Sequence, residues 1–116
     1  MRKVLVVDDE RVIADTLVTI LSRAGFESTA VYSGADAIHE ALRLKPDLVI
    51  SDVIMPDMNG IDASIAIQKT LPSCKIVLFS GQLATAELLQ QASAAGYDFE
   101  LLAKPIHPLD IFAQTS

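Results

Sequence analysis

A chain of 116 residues, 51% hydrophobic but only 5% aromatic, has material for one domain with an aliphatic core. Its fifteen Asp and Glu against nine Lys and Arg leave a net charge of −6, which opposes direct nucleic-acid binding and attachment to an anionic membrane. The lone cysteine, Cys74, allows no intrachain disulfide, and with neither a signal-peptide pattern nor the roughly 18 apolar residues of a spanning helix, a cytoplasmic protein is expected.

Val4 to Val7 reads as a buried strand that stops at Asp8, Asp9 and Glu10. Ile13, Leu17, Ile20, Leu21 and Ala24 then recur at helical spacing, and Gly25 is placed to end the helix. Phe26 to Tyr32 alternates weakly, as an edge strand does, until Ser33-Gly34 breaks it. Ile38, Ala41 and Leu42 mark a second, short helix closed by Pro46. Leu48 to Ile50 is a branched aliphatic run that delivers Asp52 to a strand end, and Pro56, Asn59 and Gly60 turn the chain into a third helix. That helix carries Ile61, Ile65, Ala66 and Leu71 and stops at Pro72. Cys74 opens a fourth strand, Ile76 to Phe79, as a small semi-buried residue. A helix over 84–95 with Gly96 as its stop, a fifth strand from Phe99 to Leu102, and a short last helix near Pro108 complete the chain. Five alternating strand–helix units predict a parallel sheet covered by helices on both faces.

Asp8 and Asp9 follow the first strand, Asp52 the third, Ser80 the fourth and Lys104 the fifth. In a parallel sheet they share the rim where open α/β folds bind their ligands. Each alone has a plain structural role: Asp9 as a helix cap contributing about 1 kcal/mol, Ser80 as a turn residue, Lys104 as a solvated charge. Together they point to chemistry. Three crowded carboxylates repel one another, so at neutral pH some must protonate or a cation must join them. Mg2+ is the economical one, since it takes hard oxygen ligands and leaves positions for water and phosphate. An Asp can itself be the nucleophile, and a Ser hydroxyl and a Lys ammonium supply partners for phosphoryl oxygens.

VLVVDDE, PDLVISDVIMPDMNG, the Ser80-Gly81 strand end and AKP at 103–105, in this order and spacing, resemble the receiver domain of two-component response regulators. The resemblance covers essentially the whole chain as one domain, residues 1–116. It implies a flavodoxin-like, five-stranded parallel sheet of order 2-1-3-4-5. By it, Asp52 is the phosphoacceptor, Asp9 a direct Mg2+ ligand, Asp8 a ligand mainly through water, and the backbone carbonyl of Ile54 the last protein donor. Ser80 bonds the phosphoryl group, Lys104 pairs with it, and Lys104–Pro105 is a cis peptide. The implied donor is a sensor histidine kinase or a phosphotransfer protein, with catalysis limited to self-phosphorylation and self-dephosphorylation. The implied output is movement of the Ser80 loop and the 84–95 helix, altering a face over 84–112 that binds a downstream protein or a second copy.

The chain departs from the family pattern at Leu101, where many receivers carry Tyr or Phe, and the segment from Gly96 to Leu101 is one residue longer than the family's usual spacing. Phe99, on the face of Leu101 if the strand alternates, is either a substitute or ordinary core. Ile54 and Gln82 occupy positions that tune water access to the phosphate in this family, and an apolar Ile54 implies restricted access. His39 and His107 lack partners at metal spacing and are expected on the surface. The short stretch after Lys104 leaves the expectation of a stand-alone or truncated receiver without a DNA-binding domain. Three other readings compete. A phosphatase of the haloacid-dehalogenase type wants a second Asp where Ile54 stands. A degenerate receiver acting as a plain interaction domain would normally lose an acid or the Lys. A flavin binder would be repelled by Asp8-Asp9-Glu10.

Overall fold

The computed structural model describes residues 2–80, 85–97, 99–103 and 108–114. Five strands alternate with five helices: β1 (Lys3–Val7), α1 (Arg11–Arg23), β2 (Glu27–Val31), α2 (Gly34–Leu44), β3 (Leu48–Asp52), α3 (Gly60–Thr70), β4 (Lys75–Ser80), α4 (Thr85–Ala94), β5 (Glu100–Ala103) and α5 (Pro108–Gln114). All pairings are parallel, in one sheet of order β2-β1-β3-β4-β5.

The aliphatic runs become the inner strands because both of their faces are covered. Along β1, β3 and β4, side chains alternate between two cores. Leu5, Val7, Val49, Ile76 and Leu78 join Ala37 and Ala41 of α2, Ile61 and Ile67 of α3, and Ala92 of α4 on one side. Val4, Val6, Leu48, Ile50, Val77 and Phe79 join Ala14, Leu17 and Leu21 of α1 and Ile111 of α5 on the other. Helices therefore cover both faces, as expected. β2 is the edge strand its weak alternation implied, with four of its five residues only partly buried or exposed.

β1 pairs with β2 on one side and β3 on the other, so the strand order reverses between β1 and β3. Connections leave the sheet toward opposite faces there, α1 after β1 to one core and α3 after β3 to the other. This opens a crevice at the carboxyl ends of β1 and β3, the usual ligand position in such folds.

Local details differ from the sequence reading in instructive ways. Ser33 and Gly34, read as a break, start α2: Ser33 is its N-cap, accepting from the Asp36 N–H at 3.1 Å. Asn59 likewise caps α3, accepting from the Asp62 N–H at 2.8 Å. Leu42, one of the residues that marked this helix, lies in α2 but is 45% exposed; the buried face of α2 runs through Gly34, Ala37 and Ala41, small residues that let the helix approach the sheet closely. β5 begins at Glu100, one residue later than predicted, leaving Phe99 before the strand, stacked on Tyr97 and packed against the α2–α3–α4 core. Leu101 is 41% exposed. Cys74 is buried just ahead of β4, and His39 is exposed. No helix among the described residues is long and apolar enough to cross a membrane.

Candidate functional site

The register explains how acids remote in sequence meet. Val7 pairs with Ser51, so the next residues, Asp8 and Asp52, come level at the point where strand order reverses. Asp8 is wholly buried and Asp52 nearly so, while Asp9 is exposed at the mouth. One carboxylate oxygen from each of Asp8, Asp9 and Asp52 lies within 4.8 Å of the others, a group that can hold a metal ion.

Backbone contacts set these side chains in place. The Asp8 N–H donates to the Val31 carbonyl at 3.2 Å, extending the β1–β2 ladder one step. The Asp8 Oδ1 accepts from the Glu10 N–H at 3.0 Å, an Asx-type turn that leads into α1. Glu10, not Asp9, occupies the N-cap of α1, so the capping role considered for Asp9 does not arise. On β3, the Ser51 hydroxyl donates to the Asp52 carbonyl at 3.0 Å, and the Ile54 N–H approaches Asp52 Oδ1 at 3.4 Å. Asp52 pairs with Phe79, which puts the buried Ser80 one step further along the neighbouring strand. Ser80 in turn pairs with Ala103, so β5 ends immediately before Lys104. Lys104, Pro105 and residues 81–84, including Gln82, lie outside the described residues, as does His107.

Beside the acids stands a cluster that periodicity did not reveal. The Arg11 guanidinium lies 4.0 Å above the ring of Tyr32, whose hydroxyl donates to Asp15 Oδ1 at 2.6 Å. That hydrogen bond, ahead of partial burial, raises the phenol pKa. The cluster ties the first turns of α1 to the residue after β2. Its only sequence signal is Arg11 and Asp15 at i,i+4 on one helix face.

The description "response regulator receiver domain" belongs to a family model that matches residues 4–116. A chemotaxis protein CheY from Thermotoga maritima is 36% identical over 108 residues, covering 92% of this chain and 88% of the relative. A probable transcriptional regulatory protein TcrX from Mycobacterium tuberculosis is 34% identical over 96 residues, covering 83% of this chain but 41% of that protein, so the match takes in less than half of the regulator. Among solved structures, the chemotaxis protein CheY4 of Vibrio cholerae superposes with a TM-score of 0.86 at 28% identity, covering 99% of this chain and 96% of that one. With this match across the chain, a sheet of order 2-1-3-4-5 and an acid group at its switch point, the chain belongs to the response regulator receiver domain family.

Proposed function

We propose that residues 1–116 act as one phosphoacceptor switch, in which Asp52 takes a phosphoryl group from a sensor histidine kinase or a phosphotransfer protein. A carboxylate oxygen of Asp52 bonds to phosphorus as the bond to the donor histidine nitrogen breaks, the nitrogen leaving with the electron pair. The meeting of Asp8, Asp9 and Asp52 within 4.8 Å carries this reading.

The donor set is all oxygen and anionic, which fits a hard divalent cation such as Mg2+ and not a soft one. Asp9 and Asp52 are assigned as direct ligands, Asp8 as one acting mainly through water, and the backbone carbonyl of Ile54 as the remaining protein donor. When bound, the ion offsets the repulsion among the acids and the charge on the transferred group. Ser80 donates to one phosphoryl oxygen and Lys104 pairs with another. The reaction is confined to gain and loss of that phosphoryl group; no separate substrate is turned over.

Phosphorylation adds about −1.5 to −2 charges at neutral pH. Ser80, at the end of β4, is drawn toward the new oxygens and moves the segment that leads into α4. The face of α4, β5 and α5, over 84–112, thereby changes its affinity for a downstream protein or a second copy of the chain, a two-state element biased by a local charge. We place this exchange in the cytoplasm.

The test is labelling by a small phosphodonor with Mg2+. The native chain is expected to take the label and Asp52→Asn to take none. Label on Asp52→Asn would remove Asp52 from its role. A beryllofluoride titration followed by amide NMR is expected to shift signals outward from Asp52 through Ser80 to α4.

A further inference from the structure

The N-terminus of α2 is held by a residue of another loop. A helix start leaves its first N–H groups without intrahelical partners. Here Ser33 accepts from Asp36, and the Ala37 N–H bonds back to the Ser33 carbonyl at 3.0 Å, but Gly34 and Ala35 look elsewhere. The Gly34 N–H donates to Asp57 Oδ1 at 3.1 Å and the Ala35 N–H to Asp57 Oδ2 at 2.9 Å, one to each carboxylate oxygen. Asp57 belongs to the loop between β3 and α3 that begins at the phosphoacceptor. The ends of that loop are secured by the Val53 N–H on Phe79 O at 3.2 Å and the Gly60 N–H on Val53 O at 2.6 Å. Its middle is fastened to α2 by Asp57, and by Met58, whose side chain fills the space over the Gly34 α-carbon where a side chain would otherwise stand.

We propose that Asp57 is a positioning residue for the metal and phosphoryl site: its two-pronged bond to Gly34 and Ala35 fixes the 53–59 loop and thereby the backbone of Ile54. This rests on the assignment of the acid pocket as the Mg2+ site. A negative group at a helix N-terminus is favoured by the aligned peptide dipoles, so the tether is charged as well as geometric. The coupling is reciprocal: whatever orders the loop steadies the start of α2.

A plain helix cap would show the same two hydrogen bonds, and Ser33 provides the control. Ser33→Ala removes one capping bond from the same helix end without touching the loop, whereas Asp57→Ala removes the bonds that hold the loop. Both are expected to lower the denaturation midpoint. Asp57→Ala alone is expected to speed hydrogen exchange at the Ile54 amide and to weaken Mg2+ binding about tenfold, the lower end of the loss seen for outer-shell partners. Asp57→Asn, which keeps one acceptor oxygen but turns an amide donor toward the second N–H, is expected to recover only part of both. If Asp57→Ala leaves Ile54 exchange and Mg2+ affinity at the Ser33→Ala level, Asp57 is a cap and nothing more. If the native chain binds no Mg2+ while Asp57→Ala still releases Ile54, the pocket assignment fails and the loop tether stands.

Discussion

Gly60 sits with its α-carbon directly over the backbone carbonyl of Asp52, and no room remains between them for a side chain. A β-carbon at this position would overlap that carbonyl oxygen and crowd the Ser51 hydroxyl. The opposing atom is backbone and cannot swing aside as a side chain would. Forcing a methyl into such a contact costs about 1–3 kcal/mol. Gly60→Ala is therefore expected to lower folding stability by about that amount in chemical denaturation. Because the displaced backbone carries Asp52, Mg2+ binding should weaken with it. An unchanged midpoint would show that the contact is slack.

Lys45 allows a change in the opposite direction. It closes α2 in the left-handed region, at φ 50° and ψ 62°, with its N–H on the Ala41 carbonyl at 2.8 Å. Pro46 follows and disfavours a right-handed helical residue before it. A residue with a β-carbon pays about 1–2 kcal/mol there. Glycine escapes that strain but loses about 0.5–1 kcal/mol through a more flexible unfolded chain. The difference favours Lys45→Gly by about 0.5–1 kcal/mol. A lower midpoint for this variant would mean that the Lys45 side chain makes contacts of greater weight.

Acid should loosen the Asp57 tether in a defined range. Hydrogen bonds from the Ala35 N–H, then from the Gly34 N–H, hold the Asp57 carboxyl below its ordinary value of 3.8. A carboxyl depressed on folding stabilises fully above its unfolded pKa and loses that contribution as pH falls through the lower folded value. The contribution is thus complete at neutral pH, begins to fade near about pH 4 and is gone in stronger acid. Because Asp57 is exposed, the effect is small and weakened by salt. Denaturation midpoints of the native chain and Asp57→Asn, followed from neutral pH into acid, are expected to converge below about pH 4. A gap independent of pH would assign the difference to shape and not to charge.

The Cys74 thiol should be inert in the folded state. Burial, reinforced by Asp47, pushes its pKa up to about 11. Since the thiolate is the reactive form, only about a thousandth of the thiol is available at pH 8, against roughly a quarter for a free cysteine. A thiol reagent is expected to label the native chain far more slowly than the unfolded one. Equal rates would place Cys74 in contact with solvent.

Much of this architecture was legible along the chain. Val4–Val7 and Ile76–Phe79 read as strands because a strand covered on both faces needs an unbroken aliphatic run. Leu17 and Leu21 revealed a buried helix face because the helical period repeats every 3.6 residues. Gly25 and Gly96 marked helix ends and take positive φ there, at 98° and 96°. The acids were visible as the residues that interrupt those runs. Strand order was not; it entered through the family resemblance, since periodicity says nothing about which strands are neighbours.

Tertiary structure decided what depends on parts of the chain that approach without a fixed spacing. Only the pairing of β1 with β3 brings Asp8 level with Asp52. Only the packed loop carries Asp57 to the amides of Gly34 and Ala35, and only the edge position of β2 sets Tyr32 under Arg11. Leu42 faces outward because small residues, not large ones, line the close side of α2. Local propensity and hydrophobic period are properties of short windows and survive in the one-dimensional text. The meeting of carboxylates and helix ends is a property of the assembled sheet, where long-range packing selects one register among many that the same windows would allow.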